Sequence, residues 1–340
     1  MTPNRRLGRW LAVWAAMLFL LILIGGATRL TESGLSITEW NVVSGVVPPL
    51  SIAEWNAAFA KYRQIPQYQA IHAGITLEQF KGIFLWEYIH RLWARLVTVA
   101  FAVPLVWFLA RGMVPRQVRS RLWLLLVLLG AQGALGWFMV SSGLSVRTEV
   151  SQYRLAAHLG AALLIYGATV WTAAEFLAQS RIAPGPQLRH VRHVSWWLTA
   201  LAVLTAIAGA FVAGLRAGHA FNTFPLMAGR VVPLGYAALS PWPRNLFENV
   251  AAVQFDHRCL GLLTLVSILA FWWHSRSLGL PPAARRAIAG FAGVAVMQVG
   301  LGIATLLLVV PVSLGVAHQA GAVMLVTCGI LVMHALRNDS

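Results

Sequence analysis

Long apolar runs separated by short polar segments account for most of the chain. A helix that crosses a membrane needs about 20 predominantly apolar residues, and runs of that length recur along the whole sequence. They lie at about 10–28, 83–110, 122–140, 155–178, 195–215, 250–273, 287–310 and 312–336. The pattern predicts an all-α integral membrane protein with eight transmembrane helices.

Composition agrees with this class of protein. Of 340 residues, 59% are hydrophobic and 11% are charged. The formal net charge of +16 could indicate a nucleic-acid-binding protein, but the arginines lie between the apolar runs instead of on a soluble domain, so no nucleic acid partner is expected. The two cysteines, Cys259 and Cys328, both fall inside predicted spans. No disulfide framework is therefore predicted, and both are expected to be small packing residues.

The arginines predict the topology. They cluster before the first run and in every second connection after it: Arg5, Arg6, Arg9; Arg111, Arg116, Arg119, Arg121; Arg181, Arg189, Arg192; Arg276, Arg285, Arg286. Basic loops of this kind stay on the cytoplasmic side, so both termini are predicted to be cytoplasmic. The N-terminal segment lacks a cleavable signal pattern. A bacterial plasma (inner) membrane is the simplest location.

An internal repeat divides the chain. EYIHRL at 87–92 is echoed by QFDHRCL at 254–260, RLAAHLGAALL at 154–164 by LGVAHQAGAVM at 314–324, and AQGALGW at 131–137 by MQVGLGI at 297–303. The repeat predicts two tandem, pseudo-symmetric four-helix bundles of the same orientation. The N-terminal unit would be 1–180, the cytoplasmic linker 181–192 and the C-terminal unit 193–340.

Four histidines fall at matched positions of this repeat: His90, His158, His257 and His318. Each is near the start of an even-numbered span, and these spans are predicted to run from the outside inward. Each half therefore presents two histidines on parallel helices toward the outer face. A lone histidine in a span most often makes only a helix–helix hydrogen bond. Four at matched depth favour a metal or haem held between helices.

The neighbouring residues narrow the choice of ligand. Zinc or di-iron sites need further carboxylates or thiolates close to the histidines. Only Glu87 in the first half qualifies, and the second half has Gln254 at that position. Two imidazoles in a bundle of small residues favour a bis-histidine haem. Arg91 and Arg258 could bind haem propionates, or they could extend to the lipid headgroups.

Glu87 distinguishes the two halves. It precedes His90 by three residues and so lies on nearly the same helix face, whereas Gln254 cannot exchange a proton. This difference predicts one reacting site and one electron-relay site. Alternatively, Glu87 only orients the imidazole or pairs with Arg91 or Arg95.

Taken together, these motifs resemble a known family. TRLTESGLSITEW at 28–40, EYIHR at 87–91, QFDHR at 254–258 and the AH-containing segments at 157 and 317 are similar to haem A synthase, the CtaA family, over about residues 10–336. The resemblance implies oxidation of the C8 methyl of haem O, through an alcohol, to the formyl group of haem A, for use in cytochrome oxidase. Some bacterial members carry a cysteine pair in the first outer loop, and this chain has no cysteine between 29 and 81.

The resemblance also implies roles for residues and partners. His90 and His158 would flank the substrate haem, Glu87 would be catalytic, and His257 and His318 would ligate the iron of a haem b. Haem O synthase would be the donor of substrate. Cytochrome oxidase assembly factors, membrane lipid and a second copy of the chain are the other expected partners.

Two histidines on the substrate iron would leave no position for dioxygen. Either one histidine leaves, or electrons are removed from the porphyrin methyl while water supplies the oxygen and Glu87 takes protons; the second route is favoured. A rival function is a di-haem b electron-transfer protein, which could also use His274 and His334. A transporter built from repeats would instead show midplane charges and broken helices, and the spans show neither clearly.

Overall fold

The structure, a computed structural model, describes residues 5–41, 44–144, 148–177 and 186–337. Within these ranges eight helices are long and apolar enough to cross a membrane, and no strand occurs beyond an isolated bridge between Met227 and Arg230. The prediction of an all-α, multi-pass membrane protein is confirmed. We number these helices in chain order: α1 Arg5–Leu30, α2 Leu77–Ala110, α3 Arg116–Ser141, α4 Gln152–Leu177, α5 Pro186–Gly214, α6 Val250–Ser275, α7 Pro282–Leu307 and α8 Val312–Ala335.

Short helices occupy the two longest connections. Ser44–Val46, Ile52–Tyr62 and Pro66–Ala70 lie between α1 and α2, and Ala217–His219, Trp242–Arg244 and Asn245–Glu248 lie between α5 and α6. Helix α2 begins at a capping box in which Thr76 accepts from the Gln79 amide and Gln79 accepts in return. Such reciprocal bonds satisfy amides that a helix start leaves unpaired.

Several helices begin before the apolar runs that predicted them, and two differences change the interpretation of the connections. Helix α5 begins at Pro186, so residues 186–192 of the predicted linker are helical, while 181–185 and the proposed unit boundary at 180 lie outside the described residues. Helix α7 ends at Leu307 because Val309 and Val310 take positive φ angles of 60° and 57°. Such angles are rare for β-branched residues. They turn the chain directly into α8.

Helix packing in one half is repeated in the other. Helix α1 packs on α2 and α4 as α5 packs on α6 and α8, and α3 packs on α4 as α7 packs on α8. The halves meet where α1 contacts α8, α4 contacts α5, and α4 contacts α8. One hydrophobic core runs through both halves. The eight long helices therefore share a single interior, and the two-unit division remains a prediction.

The connection between α1 and α2 has a small core of its own, which we call the loop core: Leu35, Phe59, Tyr62, Ile65, Phe80 and Phe84. Phe59 of the Ile52–Tyr62 helix stacks on Phe80 of α2 with ring centroids 4.9 Å apart. Buried aromatic pairs contribute about 0.5–1.5 kcal/mol beyond their area. This packing fixes the connection over the start of α2, next to Glu87.

Candidate functional site

The matched histidines lie in two pairs. His257 of α6 and His318 of α8 have ring centroids 6.3 Å apart, with their planes at 86°. His90 of α2 and His158 of α4 are close enough to interact electrostatically. The structure therefore brings together the two histidines of each half that the sequence placed at one site.

A glycine on the preceding helix lies against each histidine ring. These four glycines belong to α1, α3, α5 and α7, and each lets a ring approach the helix backbone. A Cβ atom built on them would lie 3.3 Å from His90 Nε2 at Gly25, 3.3 Å from His158 Cε1 at Gly136, 3.0 Å from His257 Cε1 at Gly209 and 2.8 Å from His318 Cε1 at Gly302. Because 2.8 Å is well inside normal contact between carbon atoms, the tightest fit is at His318.

A glutamine holds the helix turn that carries the second histidine of each pair. Gln132 Nε2 donates to the His158 carbonyl oxygen at 2.8 Å, and Gln298 Nε2 donates to that of His318 at 2.9 Å. His257 Nδ1 lies 3.1 Å from the Thr205 carbonyl oxygen. A metal-ligating histidine usually gives its other ring nitrogen to such a carbonyl, which leaves His257 Nε2 for a ligand.

The geometry of the second pair fits a haem iron. The 6.3 Å between the two ring centroids leaves room for one metal ion between the rings, because a metal–imidazole bond is about 2.0 Å long. The described residues contain no group of three or more His, Cys, Asp or Glu side chains suited to a metal ion. Two imidazoles would suffice for a haem iron, whose other ligands a porphyrin would supply.

The Glu87 carboxylate is buried, with 2% of the residue exposed, and donors surround it. Oε2 accepts from the Ser36 hydroxyl and from the Ile37 amide, both at 2.8 Å. Oε1 accepts from Arg91 Nη2 at 2.5 Å. Glu87 therefore joins α2 to the SITE segment at 36–39, and its pairing with Arg91, one of the structural alternatives, is present.

Arg91 and Arg258 hold the outer loops. Arg91 donates to the Ile37 and Glu39 carbonyl oxygens at 2.9 and 2.8 Å. Arg258 donates to the carbonyl oxygens of Phe221 and Thr223 at 2.7 and 2.8 Å. Sequence reasoning missed this role, although an arginine four residues after Glu87 and after Gln254 was a visible signal. Their binding of propionates stays a prediction.

Gln254 occupies the position of Glu87 in the second half. It is equally buried, donates to the Phe221 carbonyl oxygen at 3.2 Å, and accepts from Arg258 at 3.3 Å. The second site thus keeps the arrangement of the first without its carboxylate.

The histidines suggested for an additional haem have different surroundings. His274 lines a cavity of about 290 Å³ between α5 and α6, together with His190. His334 is buried on α8 with its ring 5.4 Å from that of Trp171 on α4. These surroundings do not suggest a shared ligand.

Comparison with known proteins identifies the family. Residues 8–330 match the family model described as cytochrome oxidase assembly protein, COX15-CtaA. The chain is 50% identical to "Heme A synthase" of Rhodospirillum centenum, over 96% of this chain and 87% of that protein. It is 46% identical to "Heme A synthase" of Nitrosospira multiformis, over 97% of this chain and 93% of that protein. It is 47% identical to "Heme A synthase" of Bradyrhizobium diazoefficiens, over 97% of this chain and 91% of that protein. The chain therefore belongs to the COX15-CtaA family of cytochrome oxidase assembly proteins.

Proposed function

We propose that this chain is a haem A synthase, an enzyme of haem A biosynthesis that oxidises the C8 methyl group of haem O to a formyl group. Three similar proteins carry that name over nearly their whole length. The observation that carries the proposal is the inequality of the two histidine sites. One has a buried carboxylate, Glu87, where the other has Gln254.

The two pairs have separate tasks in this proposal. His90 and His158 hold the substrate haem O, and His257 and His318 hold a haem b. When bound, haem b supplies one-electron oxidation and reduction. The chain's own part is to fix the imidazoles, through the glycine contacts and through the Gln132 and Gln298 hydrogen bonds.

The oxidation releases electrons and protons in equal number. Water adds its oxygen to the methyl carbon, which gives the alcohol, two electrons and two protons, and oxidation of the alcohol to the aldehyde releases two more of each. The second site would hold the redox group that takes up these electrons, and a one-electron acceptor outside the chain would receive them. Glu87 accepts protons close to the reacting carbon, and an ionised carboxylate is a suitable general base.

The distribution of arginines supports the proposed location. We place the chain in a bacterial plasma membrane with both termini cytoplasmic and both haem sites toward the outer face. Haem O synthase, which makes the substrate, is the expected donor, and cytochrome oxidase assembly is the expected use of the product.

Pigment extraction tests the proposal. The protein is purified from cells that supply haem O, and its haems are separated and weighed by mass spectrometry. Haem O or haem A together with haem b is expected, and product formed in ¹⁸O-labelled water should carry the label. Haem b alone would support the di-haem electron-transfer protein. A preparation without haem would contradict both functions.

A further inference from the structure

The connection between α1 and α2 buries a tyrosine hydroxyl against a histidine. Tyr62, fully buried in the loop core, has its hydroxyl oxygen 2.5 Å from His72 Nδ1 and 3.1 Å from Gln67 Oε1. A tyrosine has one hydroxyl proton, so the hydroxyl can turn between these two acceptors. The contact with His72 is the shorter.

His72 continues this contact toward the protein surface. Its Nε2 lies 3.7 Å from Glu32 Oε2, and 16% of its side chain and 27% of that of Glu32 are exposed. The side chains of Tyr62, His72 and Glu32, which can all exchange protons, therefore form a row in space. The row runs from the fully buried Tyr62 to the partly exposed Glu32. Gln67 contacts both Tyr62 and Glu32, because it accepts from the Tyr62 hydroxyl and also donates to the Glu32 carbonyl oxygen at 3.1 Å.

Tyr62, at the buried end of this row of side chains, lies near Glu87. Phe84, which belongs to the loop core together with Tyr62, precedes Glu87 by three residues, about one helix turn, on α2. In agreement with this placement, burial raises the pKa of Tyr62 and the charge of Glu87 raises it further. A neutral tyrosine hydroxyl passes protons by accepting one and donating another. Ser36, which donates to Glu87, and Glu32 belong to the same TESGLS segment at 31–36.

Charges around His72 suit transient protonation. Burial lowers the pKa of His72, the nearby Glu32 carboxylate raises it, and Arg216, which pairs with Glu32 at 2.7 Å, lowers it. The net shift is downward, so His72 is neutral at neutral pH and does not retain a proton it receives. The charged or titratable groups that face it are Tyr62, Glu32 and Arg216.

The second half differs in this respect. Among the described residues, the hydrogen bonds of the Gln254 side chain are with the Phe221 carbonyl oxygen and Arg258. Tyr236 does donate to Asp256 at 2.9 Å, but no histidine continues that contact in the described part of the chain. The row of proton-exchanging side chains is therefore found in the half that contains the Glu87 carboxylate.

We propose that Tyr62, His72 and Glu32 conduct the protons released at Glu87 to the outer surface. The proposal rests on the proposed function, which releases those protons. No direct hydrogen bond joins Glu87 to Tyr62 in the described residues, and we assign this step to a bridging water. Tyr62 accepts the proton while it gives its own to His72 Nδ1. His72 then releases the Nε2 proton to Glu32 or to water, and exchange with solvent restores the starting tautomer.

His72→Gln tests the relay. Glutamine can still accept a hydrogen bond from Tyr62, but it cannot exchange protons. We expect haem A formation to slow by about tenfold or more, as for loss of a proton-transfer group. The slowing should shrink as pH rises, and the solvent deuterium isotope effect should grow. Haem content should be unchanged. The matched control is His219→Gln, an exposed histidine in the other long loop, which should keep the wild-type rate.

Tyr62→Phe is the second variant, and it decides the matter if His72→Gln does not fold. Phenylalanine keeps the ring in the loop core and removes the hydroxyl. The relay is overturned if either folded variant keeps the wild-type rate, or loses rate with unchanged pH profile and isotope effect. If the wild-type protein itself makes no haem A, the proposed function fails and the relay with it. Active wild-type protein with unaffected variants overturns the relay alone.

Discussion

In each half of the chain, an arginine holds the outer loop through hydrogen bonds to two backbone carbonyl oxygens. Arg91 binds the carbonyl oxygens of residues 37 and 39, and Arg258 binds those of 221 and 223. In each half the residue four positions before the arginine is buried and bonds the same loop. The difference is that Glu87 presents a carboxylate to three donors, whereas Gln254 presents an amide. The architecture is thus repeated, and the chemistry differs at one side chain and in the loop core above it.

A second comparison concerns the place where the halves meet. Glu32 follows the end of α1 by two residues, Arg216 follows the end of α5 by two, and both have left-handed φ angles, 56° and 51°. Their side chains form an ion pair at 2.7 Å. Equivalent positions of the two halves therefore carry opposite charges. The ion pair between them joins the halves, and it exists only because these two residues differ.

The largest expected effect comes from removing an iron ligand. His257→Ala or His318→Ala should abolish the haem b spectrum, because a two-imidazole site loses half of its protein ligands. The haem of the other half should remain, since His90 and His158 belong to a separate pair. Pyridine haemochrome analysis of purified protein measures both. Full haem b in either variant would refute the assignment of this pair.

Glu87→Gln makes the first site resemble the second. Glutamine has one side-chain oxygen, which can still accept from Arg91, as Gln254 accepts from Arg258, and its NH2 group can donate to the Ser36 hydroxyl. It cannot take a proton. We expect haem binding with near-normal spectra and haem A formation lower by about 100-fold or more, with haem O or the alcohol accumulating. The matched control is Gln254→Glu, which should not change the substrate site. A normal rate in Glu87→Gln would leave Glu87 as a structural partner of Arg91.

The sequence predicted the fold class and the histidine pairs because both follow from periodicity. Apolar runs report bilayer thickness, and the repeat places His257 at the position of His90 and His318 at the position of His158. It did not predict that Arg91 would bind loop carbonyls or that Tyr62 would meet His72, because these contacts depend on how an irregular loop folds back. The end of α7 was placed too late because Val309 and Val310 are apolar and yet form a turn.

A smaller effect is expected from the glycines behind the histidines. Gly302→Ala would put a methyl 2.8 Å from His318 Cε1, against 3.3 Å from His158 for Gly136→Ala. Overpacking costs about 1–3 kcal/mol, so Gly302→Ala should weaken haem b retention by roughly tenfold, and Gly136→Ala should affect the other haem less. Gly300→Ala, where a Cβ meets nothing within 4 Å on the same helix, is the control. Equal haem loss in Gly300→Ala and Gly302→Ala would rule out a local effect on the ring.

The smallest effect is expected at the ion pair between the halves. Arg216 binds Glu32 at 2.7 Å and Glu149 at 2.6 Å, and the three side chains are about a third exposed, at 33%, 27% and 28%. Partly exposed pairs contribute about 1 kcal/mol or less and weaken with salt. Arg216→Gln should therefore lower the thermal midpoint by a few degrees in dilute buffer and by less at about 1 M salt, where the Debye length is about 3 Å. Arg244→Gln removes an exposed pair within one loop, to Glu248, and should change the midpoint less. If the two variants lose the same stability, the contact between the halves has no special weight and the junction depends on apolar packing of α1, α4, α5 and α8.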